Sequence, residues 1–93
     1  MSMEVFMKIY LYYLDVEMYQ LAKKDFLDPE MGLSDLGLTV TFNDYGTEII
    51  IDDLNLGEIV RIDDSRTYFG IYFVNGNCFE DNRRYCNMEI RFQ

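Results

Sequence analysis

The stretch Leu38-Thr39-Val40-Thr41-Phe42-Asn43-Asp44-Tyr45-Gly46-Thr47-Glu48-Ile49-Ile50-Ile51-Asp52-Asp53 decides the fold, because it reads as two strands and the turn between them. Leu38, Val40 and Phe42 alternate with Thr39, Thr41 and Asn43, the period of two that turns one side of a strand to a core and the other to water. Asn43 to Gly46 supplies residues suited to a hairpin loop of about three to five residues, with Gly46 expected at positive φ. On the return, Ile49 and Ile51 face the core with Val40 and Phe42, while Glu48, Ile50 and Asp52 take the opposite face.

Towards the N-terminus, Val5 to Leu14 (VFMKIYLYYL) supports two readings. Met7, Leu11, Leu14, Met18 and Leu21 recur at alternating spacings of four and three, a helical stripe. The same segment is crowded with Val, Ile, Phe and Tyr, which lose side-chain freedom in helices and fit pleated sheets. The second argument is taken: a strand comes first, Asp15 is the N-cap, and a helix runs from about Val16 to Leu27, with Glu17 in its first turn and Lys23 and Lys24 near its end. Asp28-Pro29 stops that helix, since proline offers no amide donor and forces the residue before it out of the α region. Glu30 to Gly37 is a loop with room for one short helical turn.

Towards the C-terminus, Leu54 to Gly57 reads as a turn and Glu58 to Asp63 as a strand, with Ile59 and Arg61 on one side and Val60 and Ile62 on the other. Thr67 to Val74 is strongly strand-like, its Gly70 marking a bulge or a close backbone approach. Asn75-Gly76-Asn77 is a tight turn. Cys78 to Tyr85 reads as polar and irregular, and Asn87 to Phe92 as a last strand with Met88, Ile90 and Phe92 on one face. The fold class expected is α+β: one helix packed on an antiparallel sheet of about five or six strands, joined mostly by hairpins. At 93 residues the chain is expected to form a single domain spanning residues 1–93.

The chemistry is defined as much by what is missing. The chain has no histidine, which removes the commonest general base and every Ser-His or Cys-His nucleophile pair. No glycine-rich phosphate loop occurs. Cys78 and Cys86 match neither a redox pair nor a zinc site and are read as two buried or half-buried thiols, with a cross-strand disulfide left open. Carboxylates gather as Asp25 with Asp28 and Glu30, Asp52 with Asp53, Asp63 with Asp64, and Glu80 with Asp81, none with the spacing of a calcium loop. Neither catalytic residues nor a metal or other cofactor are therefore expected. No apolar run is long enough for a membrane span, no secretory leader is read at the start, and a cytoplasmic location is expected, that of a host cell if the chain is phage-encoded.

Charge points to the partner. Seventeen Asp and Glu against eight Lys and Arg give a net charge of -9, beyond the magnitude of about 2 to 8 that serves solubility in a small domain. Such a surface repels phosphate backbones and anionic membranes and attracts basic proteins. Carboxylates along strand ends can imitate the phosphates of a duplex, and Tyr45, Tyr68, Arg83 and Arg84 would supply anchors among them. In size, charge, tyrosine and asparagine content, and lack of catalytic side chains, the chain resembles the small acidic inhibitors encoded by phages, of which the anti-CRISPR proteins are the most numerous class. That resemblance implies an inhibitor occupying a basic nucleic-acid-binding surface of a host defence enzyme, and transfers no residue. From the clustering of carboxylates and aromatics, the partner-binding residues expected are Asp52, Asp53, Asp63, Asp64, Tyr45, Tyr68, Glu80 and Asp81, in a monomer or small homo-oligomer. An immunity protein that neutralises a basic nuclease toxin would need the same acidic face. Asp52, Asp53, Asp63 and Asp64 are expected to be solvated at turns, so that changing them leaves the fold intact.

One expectation follows from charge alone. The protein by itself shows no measurable affinity for DNA or RNA at physiological salt, and submicromolar binding in a gel-shift assay would refute the charge argument.

Overall fold

In the computed structural model, residues 6–55 and 57–92 are described, apart from the side chains of Asp53 and Asn55. Strand β1 (Phe6–Tyr13) alternates without a break: Met7, Ile9, Leu11 and Tyr13 are buried, and Phe6, Lys8, Tyr10 and Tyr12 lie on the other side. The strand reading of this segment therefore holds over its described part, and the helical stripe was a coincidence of spacing. Leu14, one of its members, stands 85% exposed beyond the end of the strand.

Helix α1 (Val16–Leu27) begins where Asp15 caps it, the carboxylate accepting from the amides of Glu17 at 2.8 Å and Met18 at 3.2 Å. Such a cap contributes about 0.5 to 2 kcal/mol. The helix buries Tyr19, Ala22 and Phe26, spaced so that they line one face. Phe26 packs on Phe79 with ring centroids 4.4 Å apart. Asp28 ends the helix, and its side chain then caps a turn of 3-10 helix over Pro29–Met31 by accepting from the amide of Glu30.

The quoted hairpin forms as read: β2 (Thr39–Asn43) pairs with β3 (Glu48–Asn55), Val40 opposite Ile51 and Phe42 opposite Ile49. Its turn differs in one respect. The residue at positive φ is Thr47 (49°), not Gly46. The Asn43 side chain accepts from the amides of Tyr45 and Gly46, and a Cβ at Gly46 would lie 3.2 Å from the Asn43 amide nitrogen. Glycine is thus suited to close approach, and the left-handed step falls on the next residue. A β-branched residue there is strained. The Thr47 hydroxyl offsets the strain by donating to the carbonyl of Tyr13 at 2.6 Å, with the carbonyl of Gly46 2.8 Å away.

Strand β3 runs two residues beyond the expected end. Leu54 is fully buried opposite Met7 and Asn55 pairs with Phe6, so the proposed turn at Leu54 is overturned by an apolar side chain with a place in the core. Leu56, also assigned to that turn, lies outside the described residues. Strand β4 (Ile59–Asp64) pairs with β5 (Tyr68–Phe73), but a bulge between Ile59 and Arg61 breaks the alternation. Ile59 and Ile62 both turn to the core, Arg61 and Asp63 turn outward, and the face assignment of Arg61 is corrected accordingly. A bulge shifts the period by one residue, which simple alternation does not anticipate. The segment read as irregular contains β6 (Cys78–Asn82), a short strand whose Phe79 is buried. Strand β7 (Cys86–Phe92) completes the set.

The architecture is α+β: among the described residues, one α-helix and seven strands, divided between two antiparallel sheets in the orders β2-β3-β1-β7 and β4-β5-β6. Each sheet turns one face to a shared core that also receives the helix. Tyr13, Tyr19, Phe69, Phe73, Phe26 and Phe79 form the aromatic part of that core, each full burial of a large apolar side chain contributing about 1.5 to 3 kcal/mol.

Two tyrosines in this core differ in their hydroxyls. That of Tyr13 donates to Asp81 Oδ2 at 2.7 Å, linking β1 to β6 across the two sheets. That of Tyr19 is buried without a hydrogen bond of ordinary geometry, although Asp44 lies near enough to reinforce the rise in its pKa that burial causes. Tyr13→Phe is expected to lower stability by about 1.5 to 3 kcal/mol, the range for a hydrogen bond to a charged group, whereas Tyr19→Phe leaves it unchanged or higher. Urea unfolding midpoints of the two variants decide the matter, and equal losses would contradict this assignment.

Candidate functional site

The outer face of the three-stranded sheet brings together three of the residues singled out from sequence. In the register of this sheet, Asp63 lies opposite Gly70 and Gly70 opposite Glu80, while Tyr68 lies two residues before Gly70 on the same face. Tyr72, which had not been singled out, lies over Gly70: a Cβ there would come within 2.9 Å of the Tyr72 ring. What approaches Gly70 is a side-chain ring and not backbone, and the bulge falls instead at Val60. The Tyr72 hydroxyl donates to Glu80 Oε1, a bond that raises the tyrosine pKa and keeps it neutral. Arg61 stacks over the same ring at 4.1 Å and pairs with Asp63 at 3.2 Å. The face is therefore a chain of contacts, Asp63 to Arg61 to Tyr72 to Glu80, with half-exposed Tyr68 beside it.

Glu80 also lines a cleft of about 430 Å³ with Asp25, Asp28, Glu30, Met31, Asn77, Cys78 and Phe79. Asp25, Asp28 and Glu30 formed one carboxylate group in the sequence and Glu80 belonged to another. What joins them is the hairpin between β5 and β6, whose Asn75 and Asn77 side chains donate to the carbonyls of Glu30 and Met31 at 2.7 to 2.9 Å. The signal was legible only in part. The Asn-Gly-Asn turn was visible, but not that its asparagines would dock on the segment after the helix.

The remaining sequence candidates go elsewhere. Asp64 is engaged by Arg83, which also donates to the carbonyl of Ser65 and, at 3.2 Å, to Asn87 Oδ1. Asp81 accepts from Tyr13. Asp81 is a part-buried tie between the sheets, whereas Asp64, on the same strand side, stays 64% exposed beside Arg83 and is solvated as expected. Asp52 lies on the outer face of the four-stranded sheet, within a strand and not at a turn, 3.3 Å from Lys8. The side chain of Asp53 is outside those described. Tyr45 is fully exposed at the tip of the first hairpin. Arg83, expected to be an anchor, is instead held inside the fold, and Arg66, Arg83 and Arg84 gather at the end of the three-stranded sheet away from the acidic cleft.

A second surface escaped the sequence reading. On the outer face of the four-stranded sheet, Tyr10 and Tyr12 stack with centroids 6.1 Å apart, and Arg91 lies 4.2 Å over Tyr10 while pairing with Glu89 at 3.0 Å. Arg91 holds the Glu89 carboxyl below its usual pKa. Strand alternation in Lys8-Ile9-Tyr10-Leu11-Tyr12 was the available signal.

Both cysteines are free, Cys78 exposed and Cys86 buried, and among the described residues no group of His, Cys, Asp and Glu is arranged to hold a metal ion. No helix among the described residues is long and apolar enough to cross a membrane. Compared with protein-family models, curated proteins and solved structures, the chain matches none.

Burial pushes the Cys86 thiol up to about 12 from an ordinary 9.0. The unfolded thiol ionises first as pH rises, so the stability this group contributes is full below pH 9.0 and declines towards 12. Buried Tyr19, also raised to about 12, adds to the decline. Cys86→Ala is expected to show a shallower loss of stability across that window than the parent; identical slopes in denaturant titrations would contradict it.

Proposed function

We propose that this protein is a non-catalytic inhibitor that occupies a basic, nucleic-acid-binding surface of a host defence enzyme, of the kind found in CRISPR effectors. The observation that supports this reading is the continuity of negative charge from Asp63 and Glu80 on the outer sheet face into the cleft of Asp25, Asp28 and Glu30. Arg61 neutralises only the Asp63 end of that run. The arginines at the far end of the sheet give the molecule a polarity, so that the acidic end is drawn first to a basic partner.

Tyr68 and Tyr72 supply what the carboxylates lack. Rim charges chiefly accelerate encounter, whereas affinity resides in a few aromatic or arginine contacts that lose water. Tyr68 is 43% exposed and stands beside the acidic row. A basic groove that accepts alternating phosphates and bases would accept this alternation of carboxylates and rings. Asp81, held by Tyr13, and Asp64, paired with Arg83 on the strand side away from the acidic row, drop out of the binding set, and Asp25, Asp28 and Glu30 enter it.

The test is capture of partners from nuclease-treated host lysate, followed by competition with the partner's own nucleic acid. Displacement of the nucleic acid supports the reading; simultaneous binding of both overturns it. The triple variant Asp25→Asn/Glu30→Gln/Glu80→Gln is expected to bind the captured partner about tenfold or more weakly, with the loss mainly in association rate and with less sensitivity to salt. Unchanged affinity in a correctly folded triple variant would remove these carboxylates from the interface.

A further inference from the structure

We infer that two copies of the chain associate antiparallel along the free edge of β7, in a register centred on Ile90. The inference starts from how the four edge strands are guarded. Edge strands invite further pairing, and proteins blunt them by shortness, bulges, proline or uniform charge. Strand β2 has five residues rich in threonine, β6 has five and carries Glu80 and Asp81, and β4 is broken by its bulge. Strand β7 is not short, bulged or interrupted by proline, and its charges, Glu89 and Arg91, are of opposite sign. It has seven residues, no lysine and no proline, and pairs with β1 from Met7 opposite Phe92 to Tyr13 opposite Cys86 without a shift of register. Among the described residues, no strand pairs with its other edge.

The side chains of β7 are complementary to themselves about Ile90. On the inner side, Met88 is buried, Ile90 is half-buried and Phe92 is 69% exposed, so an apolar strip runs out of the core towards the strand's end. In the antiparallel register centred on Ile90, Met88 faces Phe92 of the second copy, Ile90 faces its equivalent, and Phe92 faces Met88. On the outer side, Glu89 faces Arg91 of the second copy and Arg91 faces Glu89. Directly opposed residues of this kind are the unit by which sheets are stabilised, and opposite charges are favourable where like charges are not. Shifting the centre to Glu89 would set glutamate against glutamate and lose the match. The product is an eight-stranded sheet with a two-fold axis through Ile90. The Tyr10 and Tyr12 stacks and the Arg91 and Glu89 pairs of both copies then lie on one face.

The interface is smaller than the standard size of about 1,600 Å², so association is expected in the micromolar range. Sedimentation equilibrium of the full chain from roughly 1 to 500 µM covers that range. The parent is expected to move from the monomer mass of 11.1 kDa towards twice that value. Glu89→Arg and Arg91→Glu each set like charges against each other across the axis and are expected to hold the chain at monomer mass. The double variant Glu89→Arg/Arg91→Glu restores opposite charges and is expected to recover the dimer. Both positions are exposed, and circular dichroism checks that each variant folds. A parent that remains monomeric throughout overturns the proposal. So do single variants that associate as the parent does, or a double variant that fails to recover.

Discussion

The hydrogen bond from Tyr13 to Asp81 is the constraint on which the arrangement of the two sheets turns. Among the described residues no strand is shared between the sheets, so their relative placement depends on side chains that reach across. Tyr13 ends the central strand of one sheet and Asp81 sits in the last strand of the other, and the bond between them is 2.7 Å long in a part-buried setting. A tyrosine with its ring in the core and its hydroxyl on a carboxylate serves two purposes at once: the ring contributes apolar area and the hydroxyl fixes direction. Burial raises the Tyr13 pKa, with the adjacent Cys86 and Asp81 adding to it, so the donor keeps its proton. Arg83 makes a parallel tie through Asp64, Ser65 and Asn87, joining the turn after β4 to the first residues of β7.

These ties sort the carboxylates. A chain with a net charge of -9 carries self-repulsion that opposes compactness, and the fold engages several of its acids in capping and bridging. Asp15 and Asp28 cap helical turns, Asp44 meets Lys23 at the turn of the first hairpin, Asp64 pairs with Arg83, and Asp81 joins the sheets. The acids on the outer sheet face and around the cleft form the surface left for a partner. Exposed ion pairs in this set contribute little to stability, typically below about 1 kcal/mol. Their distribution bears on recognition more than on folding.

The elements with an unbroken period were legible in the sequence. β1, the helix with its Asp15 cap, the first hairpin and β7 could each be read from alternation, capping chemistry or turn residues. What escaped was non-local or irregular. The bulge at Val60 reversed the face of Arg61, β6 was hidden because only Phe79 among its residues is buried, and Leu54 extended β3 because a partner strand far away in sequence offered it a core position. The candidate site was less legible than the fold. Asp63, Tyr68 and Glu80 converge because β4, β5 and β6 lie side by side, whereas Asp64 and Asp81 are adjacent in sequence to the right residues and point the other way. Neighbouring residues on a strand face opposite sides, so paired acids cannot all serve one surface.

The position of β1 has a consequence for how the chain reaches this state. Its two neighbours are β3 and β7, and the second of these lies far from it in sequence. During synthesis β3 emerges well before β7, so the first hairpin can pair with β1 early while the other edge of β1 stays open until β7 has been made. Closure of a long loop must then precede the gain from that pairing, which places folding among the slower, non-local topologies. During the interval β1 presents Met7, Ile9 and Leu11 beside an unpaired backbone, a surface of the kind chaperones cover. Strand β7 thus acts as a latch, closing the open edge of β1 only after the rest of that sheet can already have paired.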